Sequence, residues 1–362
     1  MAGIYIHIPF CKKRCLYCDF FSTTQLPRRK EYVDALLKEI SARKNETNEP
    51  VRTIYLGGGT PSTLEISDIQ RIMAALDTTN AEEITMEMNP GDATPEYLSA
   101  LRQTGINRLS IGIQSFQDNL LQLIGRRHDA QQALTAVRMA QQAGFDNISI
   151  DLMYALPTQT MKQWQTDIDT AFSLHIQHIS CYGLMYEEGT QLTAIRDNGQ
   201  LTPVDEDLEN AMYDYLCERL KKAGFRHYEV SNFALPEYES KHNSNYWNGT
   251  PYIGIGAGAH TYQKPVRSWN PDNLNAYING INNGTLVREK EILTEKDLYN
   301  ESIMLGLRTD KGIYETSSRR CRDKYETFTR EELLRRTPDH RLVATQKGLH
   351  ILNRIIEELM IE

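Results

Sequence analysis

Three cysteines lie close together near the start of the chain, at Cys11, Cys15 and Cys18, with the spacing C-x3-C-x2-C. Three thiolates on one short loop can bind three irons of a cubane cluster and leave the fourth iron open, whereas four thiolates normally saturate it. Zinc is the alternative, but structural zinc sites take four ligands, usually as two separated pairs. No second Cys or His pair with that spacing follows, so the sequence favours a 4Fe-4S cluster.

A glycine-rich turn, Gly57 to Gly59 followed by Thr60 and Pro61, comes after the second strand-like run. Glycines let a ligand approach the backbone closely and expose amide groups to it. A glycine run by itself is typical of a plain turn.

Polar residues stand at or near the ends of later strand-like runs, namely Glu87, Gln114, Arg126 and Asp151. Each alone could be a polar residue that bonds to a neighbouring loop. As a set they could face one basin above the sheet, where carboxylates bind ribose hydroxyls or an ammonium and arginine pairs with a carboxylate.

Strand and helix signals alternate through the first part of the chain, which predicts a parallel sheet with helices packed outside it. An open doubly wound sheet and a full or partial barrel both fit, and either gathers ligands at the carboxyl ends of the strands. The strand-like runs are Ile4–Ile8, Thr53–Leu56, Glu83–Met88, Arg108–Ile113, Asn147–Met153 and His178–Leu184. The helix-like stretches are Arg29–Arg43, Ser67–Leu76, Pro95–Gln103, Ala130–Ala143, Lys162–Ser173 and Asp205–Lys222.

Several helix ends carry recognisable signals. Ser67 with Gln70 has the spacing of a capping box, and Thr94 precedes a proline at the first helical position. Glycines are expected to end three helices, at Gly105, Gly144 and Gly224.

The pattern changes after residue 235, which predicts three parts: 1–235 an α/β domain with the cluster and cofactor sites, 236–285 an irregular segment, and 286–362 a small, mostly helical domain resembling a winged helix. The last part has helix-like stretches and one short strand-like stretch before the final helix. The helix-like stretches are Lys296–Leu307, Ser318–Tyr325, Arg330–Arg336 and Thr345–Met360, and the strand-like stretch is Leu342–Ala344.

Composition narrows the class of protein. The chain has 362 residues, 40% of them hydrophobic, which is enough for a large core. The net charge of -8 argues against a general nucleic-acid binder. No apolar run is long enough to span a bilayer and no signal sequence begins the chain, so we expect a cytoplasmic protein. The scattered cysteines Cys181, Cys217 and Cys321 do not form a disulfide framework.

The cysteine loop after a first strand, with an aromatic Tyr17 before its last cysteine, resembles the radical SAM superfamily. The resemblance implies a partial (β/α)6 barrel in which the open iron chelates the amino and carboxylate groups of S-adenosylmethionine (SAM). An electron then cleaves SAM to a 5′-deoxyadenosyl radical, and a donor such as a flavodoxin or ferredoxin supplies it. The positions that match the SAM contacts of one branch are Tyr5, Gly58, Gly59, Thr60, Glu87, Gln114, Arg126 and Asp151.

That branch holds oxygen-independent coproporphyrinogen III oxidases and haem chaperones. The oxidases have a further cysteine where this chain has Phe20. They also have an N-terminal extension, which we do not expect here because Met1 lies only ten residues before Cys11. Residues 241–247 read KHNSNYW and resemble the HNxxYW motif of the chaperones, whose histidine, here His242, is implicated in haem binding. A neutral imidazole is a common axial haem ligand. The alternative is a loop histidine beside a core Tyr-Trp pair.

The resemblance therefore favours a chaperone that binds haem, a 4Fe-4S cluster and SAM and passes haem to haem-accepting apoproteins. The alternative is an enzyme that oxidatively decarboxylates coproporphyrinogen III in porphyrin biosynthesis. No residue is assigned a catalytic role, and a cluster in an open basin would also suit a dimer interface.

Overall fold

A computed structural model describes residues 2–47, 49–315 and 319–361, and of residues 319–321 it describes the backbone alone. The strands are β1 (Ala2–Ile8), β2 (Val51–Gly58), β3 (Glu83–Met88), β4 (Arg108–Gln114), β5 (Ile148–Tyr154), β6 (His178–Gly183), β7 (Arg226–Glu229), β8 (Asn232–Ala234), β9 (Tyr252–Ile255), β10 (His260–Gln263), β11 (Val266–Trp269), β12 (Glu289–Ile292), β13 (Ile313–Tyr314), β14 (Leu334–Arg336) and β15 (Arg341–Ala344). The helices are α1 (Arg29–Arg43), α2 (Ile66–Ala75), α3 (Pro95–Gln103), α4 (Asp118–Leu123), α5 (Ala130–Gln142), α6 (Met161–Ser173), α7 (Gln191–Asp197), α8 (Glu206–Lys222), α9 (Lys241–Asn248), α10 (Leu274–Asn283), α11 (Glu295–Gly306), α12 (Arg319–Arg330), α13 (Gln346–Leu349) and α14 (Leu352–Leu359).

The main sheet carries its first six strands in chain order, β1 to β6, all parallel. A doubly wound sheet reverses its strand order near the middle, so the sequential order excludes that alternative. Right-handed crossovers then place the connecting helices on one face of a curved sheet. The predicted α/β fold with a partial barrel is confirmed. At the two edges, β8 and β7 continue beyond β6, and β9 to β12 continue beyond β1.

The barrel strands alternate apolar and polar side chains, as expected when the two faces of a sheet meet different surroundings. On β4, Leu109, Ile111 and Ile113 are fully buried in the core shared with the helices. The residues between them, Ser110 and Gly112, line the interior cavity. The other strands repeat this division, which leaves the barrel interior rich in groups that can bind ligands.

Most predicted elements of the first 235 residues are confirmed within one or two residues, and α1 and α3 have the predicted bounds. The Thr94 side chain accepts a hydrogen bond from the Tyr97 amide, as predicted for the start of α3. Gly105, Gly144 and Gly224 have positive φ, as predicted for helix ends. The capping box at Ser67 is wrong, because α2 begins earlier and its N-cap, Glu65, makes no capping bond through its side chain.

The segment 236–285 is not irregular, which corrects the prediction. It holds α9, three short strands and α10, and β9 pairs in parallel with β1, so the sheet runs on past residue 235. These elements were missed because the strands are only four residues long, too short to show a period. The division of the chain into three domains stays a prediction.

The last part of the chain combines α11, α12 and α14 with a small antiparallel sheet of order β13-β15-β14. The helix predicted over Arg330–Arg336 is wrong, because Glu332 has a φ of 60°, a left-handed value that ends the helix, and β14 follows. The single helix predicted over Thr345–Met360 is broken into α13 and α14. The predicted helix start at Ser318 lies outside the described residues.

In the described part of the chain, no helix combines the length and the apolar character needed to cross a bilayer. Of the scattered cysteines, Cys181 and Cys217 are free thiols, as expected, and the side chain of Cys321 lies outside the described part.

A buried carboxylate joins α1 to the segment that was predicted as irregular. Glu39 is 2% exposed and accepts hydrogen bonds from the Tyr277 hydroxyl at 2.7 Å and the Gly256 amide at 2.8 Å. It also pairs with Arg43 at 2.9 Å, and Arg43 in turn donates to the Thr261 hydroxyl at 2.9 Å. This network holds β9 and β10 against the first helix of the barrel.

Replacing that carboxylate should destabilise the whole protein. We expect Glu39→Gln to lower the free energy of unfolding by about 3 kcal/mol, because it leaves the buried Arg43 cation with less compensation. Tyr277→Phe is the matched control, since it removes one donor and should cost about 1 kcal/mol. Urea unfolding followed by circular dichroism measures both, and equal effects of the two variants would contradict this account.

Candidate cofactor-binding site

One cavity of about 460 Å³ opens at the carboxyl ends of the barrel strands. It brings together nearly all residues predicted for the cluster and for SAM, namely Cys11, Cys15, Cys18, Gly58, Gly59, Thr60, Glu87, Gln114, Arg126 and Asp151. Tyr5 is the exception, since it does not line this cavity. Its ring packs on the ring of Tyr55, with centroids 6.1 Å apart, and Tyr55 itself lines the cavity.

The cysteine loop follows β1 directly and is fixed by its neighbours. The Cys11 amide donates to the Thr23 carbonyl at 2.9 Å, and its Sγ lies 3.4 Å from the Thr60 hydroxyl. The Arg126 guanidinium donates through Nη1 to Cys15 Sγ at 3.3 Å. All three thiols are free and line the same cavity, so this donor set fits a cluster held by three thiolates.

Burial raises the pKa of the Cys11 and Cys18 thiols, because the charged thiolate is poorly solvated there. A metal-bound thiol is deprotonated regardless of that cost. Among the described residues, no three His, Cys, Asp or Glu side chains converge as a site for a single metal ion, and this includes the three loop cysteines.

The glycine turn exists because two backbones approach closely. The Gly59 amide donates to the Ile8 carbonyl at 2.9 Å, and a Cβ on Gly59 would lie 2.8 Å from the backbone carbonyl of Pro9. Gly58 has a φ of 114°, and a Cβ there would lie 2.6 Å from the His7 ring. Glycine is therefore required at both positions, and the turn sits against the residues that lead into the cysteine loop.

Two carboxylates share the cavity. Glu87 accepts hydrogen bonds from the Tyr55 hydroxyl at 2.9 Å and the Gly58 amide at 3.0 Å. Burial, reinforced by the negative charge of Asp151, raises the pKa of Glu87 to about 7. Burial also raises the pKa of Asp151, although a hydrogen bond from Ser110 at 3.2 Å and the Arg108 cation oppose that shift. Hydroxyl or ammonium groups of a ligand would stabilise both carboxylates.

Arg126 connects the cluster loop to β4. Besides Cys15, its guanidinium donates to the Gly112 carbonyl, while its Nε is buried without a partner in the described part of the chain. Gln114 ends β4 with a φ of 73°, an unusual conformation for a residue other than glycine. The cavity thus retains an unsatisfied donor beside the cysteines, which a bound cofactor carboxylate or hydroxyl could accept from.

His242 lies inside the protein, away from the cavity lining. It belongs to the first turn of α9 and is 0% exposed. Its Nδ1 is 2.9 Å from the Thr53 hydroxyl and its Nε2 is 2.9 Å from the Tyr246 hydroxyl. Burial lowers the pKa of His242 to about 3, so the ring is neutral. In this arrangement both ring nitrogens are engaged and neither is free to bind iron.

Two functional positions were not singled out from the sequence. Glu83, at the start of β3, accepts hydrogen bonds from the Lys241 and His242 amides at 2.9 Å each and so anchors the positive end of α9. Arg108, at the start of β4, is 1% exposed and lines the cavity. Both residues occupy strand positions that alternate with the core residues, so their side chains face the barrel interior. That alternation is the sequence pattern that could have located them.

Comparison with known proteins agrees with this geometry. The family model for the Radical SAM superfamily matches residues 5–171. The heme chaperone HemW of Lactococcus lactis is 36% identical over 99% of this chain and 97% of its own length. That of Bacillus subtilis is 37% identical over 90% of this chain and 87% of its own. Coproporphyrinogen III oxidase (HemN) from Escherichia coli shares the fold, with a TM-score of 0.83 at 22% identity, covering 99% of this chain and 90% of that one.

The fold is that of the radical SAM class, and membership of that class implies a 4Fe-4S cluster and SAM. The chain belongs to that superfamily and, within it, to the family of the heme chaperone HemW proteins.

The close approach at Gly59 gives a direct test of the cysteine loop. We expect Gly59→Ala to reduce iron bound after anaerobic reconstitution to less than half, because the added methyl group pushes against Pro9 and displaces the loop. Gly144→Ala is the control for a general loss of stability, since its φ of 86° strains an added methyl group while nothing lies within 4 Å of its Cβ, so it should leave the bound iron unchanged. Iron and sulfide analysis measures both, and normal iron content in Gly59→Ala would contradict the assigned role of this contact.

The raised pKa of Glu87 predicts a pH dependence of stability. Between its unfolded pKa near 4.5 and its folded pKa of about 7, the unfolded chain loses this proton first, so stability should fall as pH rises, by about 3 kcal/mol in total. Urea unfolding of the cofactor-free protein from pH 4.5 to 8 should show this loss, and Glu87→Gln should reduce it to the part that the raised pKa of Asp151 contributes. Parallel curves for the two proteins would show that Glu87 ionises normally.

Proposed function

We propose that this protein is a cytoplasmic haem chaperone that binds haem and delivers it to haem-accepting apoproteins. The observation that carries the proposal is its similarity, over nearly the whole chain, to proteins named heme chaperone HemW. Phe20 supports it, because the oxidases of this branch have a cysteine there. The Phe20 side chain is 65% exposed at the cavity and is not part of the core.

We further propose that the cavity holds a 4Fe-4S cluster on Cys11, Cys15 and Cys18, with SAM beside it. The turn at Gly58 and Gly59, which carries no side chains, would give SAM room, and the Glu87 and Asp151 carboxylates and the Arg126 guanidinium would orient it, together with Thr60 and Gln114. Tyr5 would act through the Tyr55 ring on which it packs. When bound, the cluster and SAM supply one-electron chemistry, and a flavodoxin or ferredoxin would supply the electron. An open cavity mouth also suits a dimer.

The proposed haem ligand is His242, and its surroundings set a condition on that role. Iron can reach Nε2 only if the Tyr246 hydroxyl releases it, since Nδ1 is held by Thr53. Tyr246 also packs edge-on against the His242 ring, with centroids 5.3 Å apart. Haem binding through His242 therefore requires Tyr246 and the start of α9 to move.

A haem titration of three proteins tests this role. We expect His242→Ala to weaken haem binding at least tenfold, because it removes the axial ligand. Tyr246→Phe should bind haem as tightly as the wild type or more tightly, because it removes the group that competes with iron for Nε2. The measurement is anaerobic titration followed by the Soret band, with circular dichroism to confirm that each variant folds.

Unchanged haem affinity in His242→Ala would remove His242 as the ligand and leave it as a core residue. Weaker binding in both variants, with lowered stability, would also count against direct ligation. Anaerobic conversion of coproporphyrinogen III by the reconstituted protein would overturn the chaperone proposal in favour of the oxidase.

A further inference from the structure

Asp92 is a buried carboxylate that lies behind the wall of the cofactor cavity. It belongs to the short turn that follows β3, its side chain is 3% exposed, and it does not line the cavity itself. Lys12 donates to its Oδ1 at 2.7 Å, Ser62 donates to its Oδ2 at 2.8 Å, and Arg127 also donates to Oδ2. A buried carboxylate needs cations and hydrogen-bond donors around it, and these three side chains supply them.

The three donors come from three segments that also build the cofactor site. Lys12 directly follows Cys11 in the cysteine loop, and Ser62 comes three residues after Gly59 in the glycine turn. Arg127 is the neighbour in sequence of the arginine that donates to the second cysteine of the loop. One carboxylate therefore links the cysteine loop, the glycine turn and the segment between α4 and α5.

The part of the cysteine loop between its first two cysteines has few other attachments. Lys12, Lys13 and Arg14 are all exposed. Within the described chain, Lys13 makes no hydrogen bond or ion pair, and Arg14 donates only to the Cys18 carbonyl of the same loop. Lys12 is therefore the residue through which this stretch is hydrogen-bonded to the rest of the described barrel.

We propose that Asp92 is a positioning residue for the cluster, and that its ion pair with Lys12 holds the cysteine loop in the geometry that keeps all three thiolates on iron. This inference rests on the 4Fe-4S cluster proposed above. The Lys12 side chain is 47% exposed, but the Asp92 end of the pair is buried. A charge-assisted hydrogen bond to a buried carboxylate is stronger than one between two exposed side chains. Breaking this pair should therefore release the loop while the barrel core stays folded.

The rate at which the reconstituted protein loses iron to excess EDTA, followed anaerobically by visible absorbance, tests this role. We expect Lys12→Met to lose iron about fivefold faster than the wild type, because the stretch between Cys11 and Cys15 is no longer fixed. Lys12→Arg should restore the slow rate, because it keeps a charged donor within reach of Asp92. Lys13→Met is the matched control, since it removes the neighbouring exposed cation without breaking an ion pair of the described chain, and it should lose iron at the wild-type rate.

Asp92→Asn tests the other end of the pair. It should also lose iron about fivefold faster, and the double variant with Lys12→Met should be no faster than the quicker single variant, because both changes break the same bond. A purely structural role for Asp92 would instead add its effect to that of Lys12→Met. The electron paramagnetic resonance spectrum of the reduced cluster is the second readout. Its line shape should change alike in Asp92→Asn and Lys12→Met, and Lys12→Arg should have the wild-type spectrum.

A wild-type rate of iron loss in Lys12→Met would overturn the proposal, as would additive effects in the double variant. Equally fast loss from Lys13→Met would overturn it too, since the charge of the loop rather than the ion pair would then be the cause. If Asp92→Asn does not fold, Lys12→Met and Lys12→Arg decide. A wild-type protein that binds no iron would remove the cluster and this proposal together, and iron analysis shows that before any variant is compared. Failure of the ion pair's role is thus distinguishable from failure of the cluster assignment, and neither bears on haem titration.

Discussion

The contact between the ends of β1 and β2 governs the whole cofactor site. Gly59 must lie against the Pro9 backbone for its amide to reach the Ile8 carbonyl, and only glycine fits there. Because Cys11 follows two residues after Pro9, this contact sets where the cysteine loop leaves the sheet. It also aims the Gly58 amide at Glu87. The glycine turn, the cysteine loop and the Glu87 carboxylate are thus positioned by the same contact between β1 and β2.

The alternation along the parallel strands extends that arrangement through the barrel. One face of each strand packs on helices, which stabilises the fold without help from the interior. The inner face is then free to carry groups whose burial costs stability, such as Glu87, whose pKa is raised, and Arg108, whose Nε has no hydrogen-bond partner in the described part of the chain. Tyr55 connects the cavity to the buried His242, since its hydroxyl donates a hydrogen bond to Glu87 and its ring stacks on the His242 ring with centroids 5.2 Å apart.

Sequence reasoning succeeded where a local pattern determined the structure. The period of α1 and the cap at Thr94 gave correct bounds, and strand ends located the residues that line the cavity. It failed where an element depends on contacts with residues far away in the sequence. The four-residue strand β9 exists because β1 pairs with it, and α9 is held by Glu83, some 160 residues earlier. The burial of His242 follows from those contacts, and no pattern in residues 241–247 indicated it.

The central claim is that three thiolates hold a cluster whose fourth iron faces this cavity and accepts SAM. Electron paramagnetic resonance of the reduced, reconstituted protein, recorded before and after addition of SAM, tests it most directly. The account predicts a 4Fe-4S signal that changes shape and saturates at one SAM per cluster, because the ligand binds the open iron. A signal that SAM leaves unchanged would contradict the claim, as would a cluster whose iron content is unaffected by replacing Cys15 with serine.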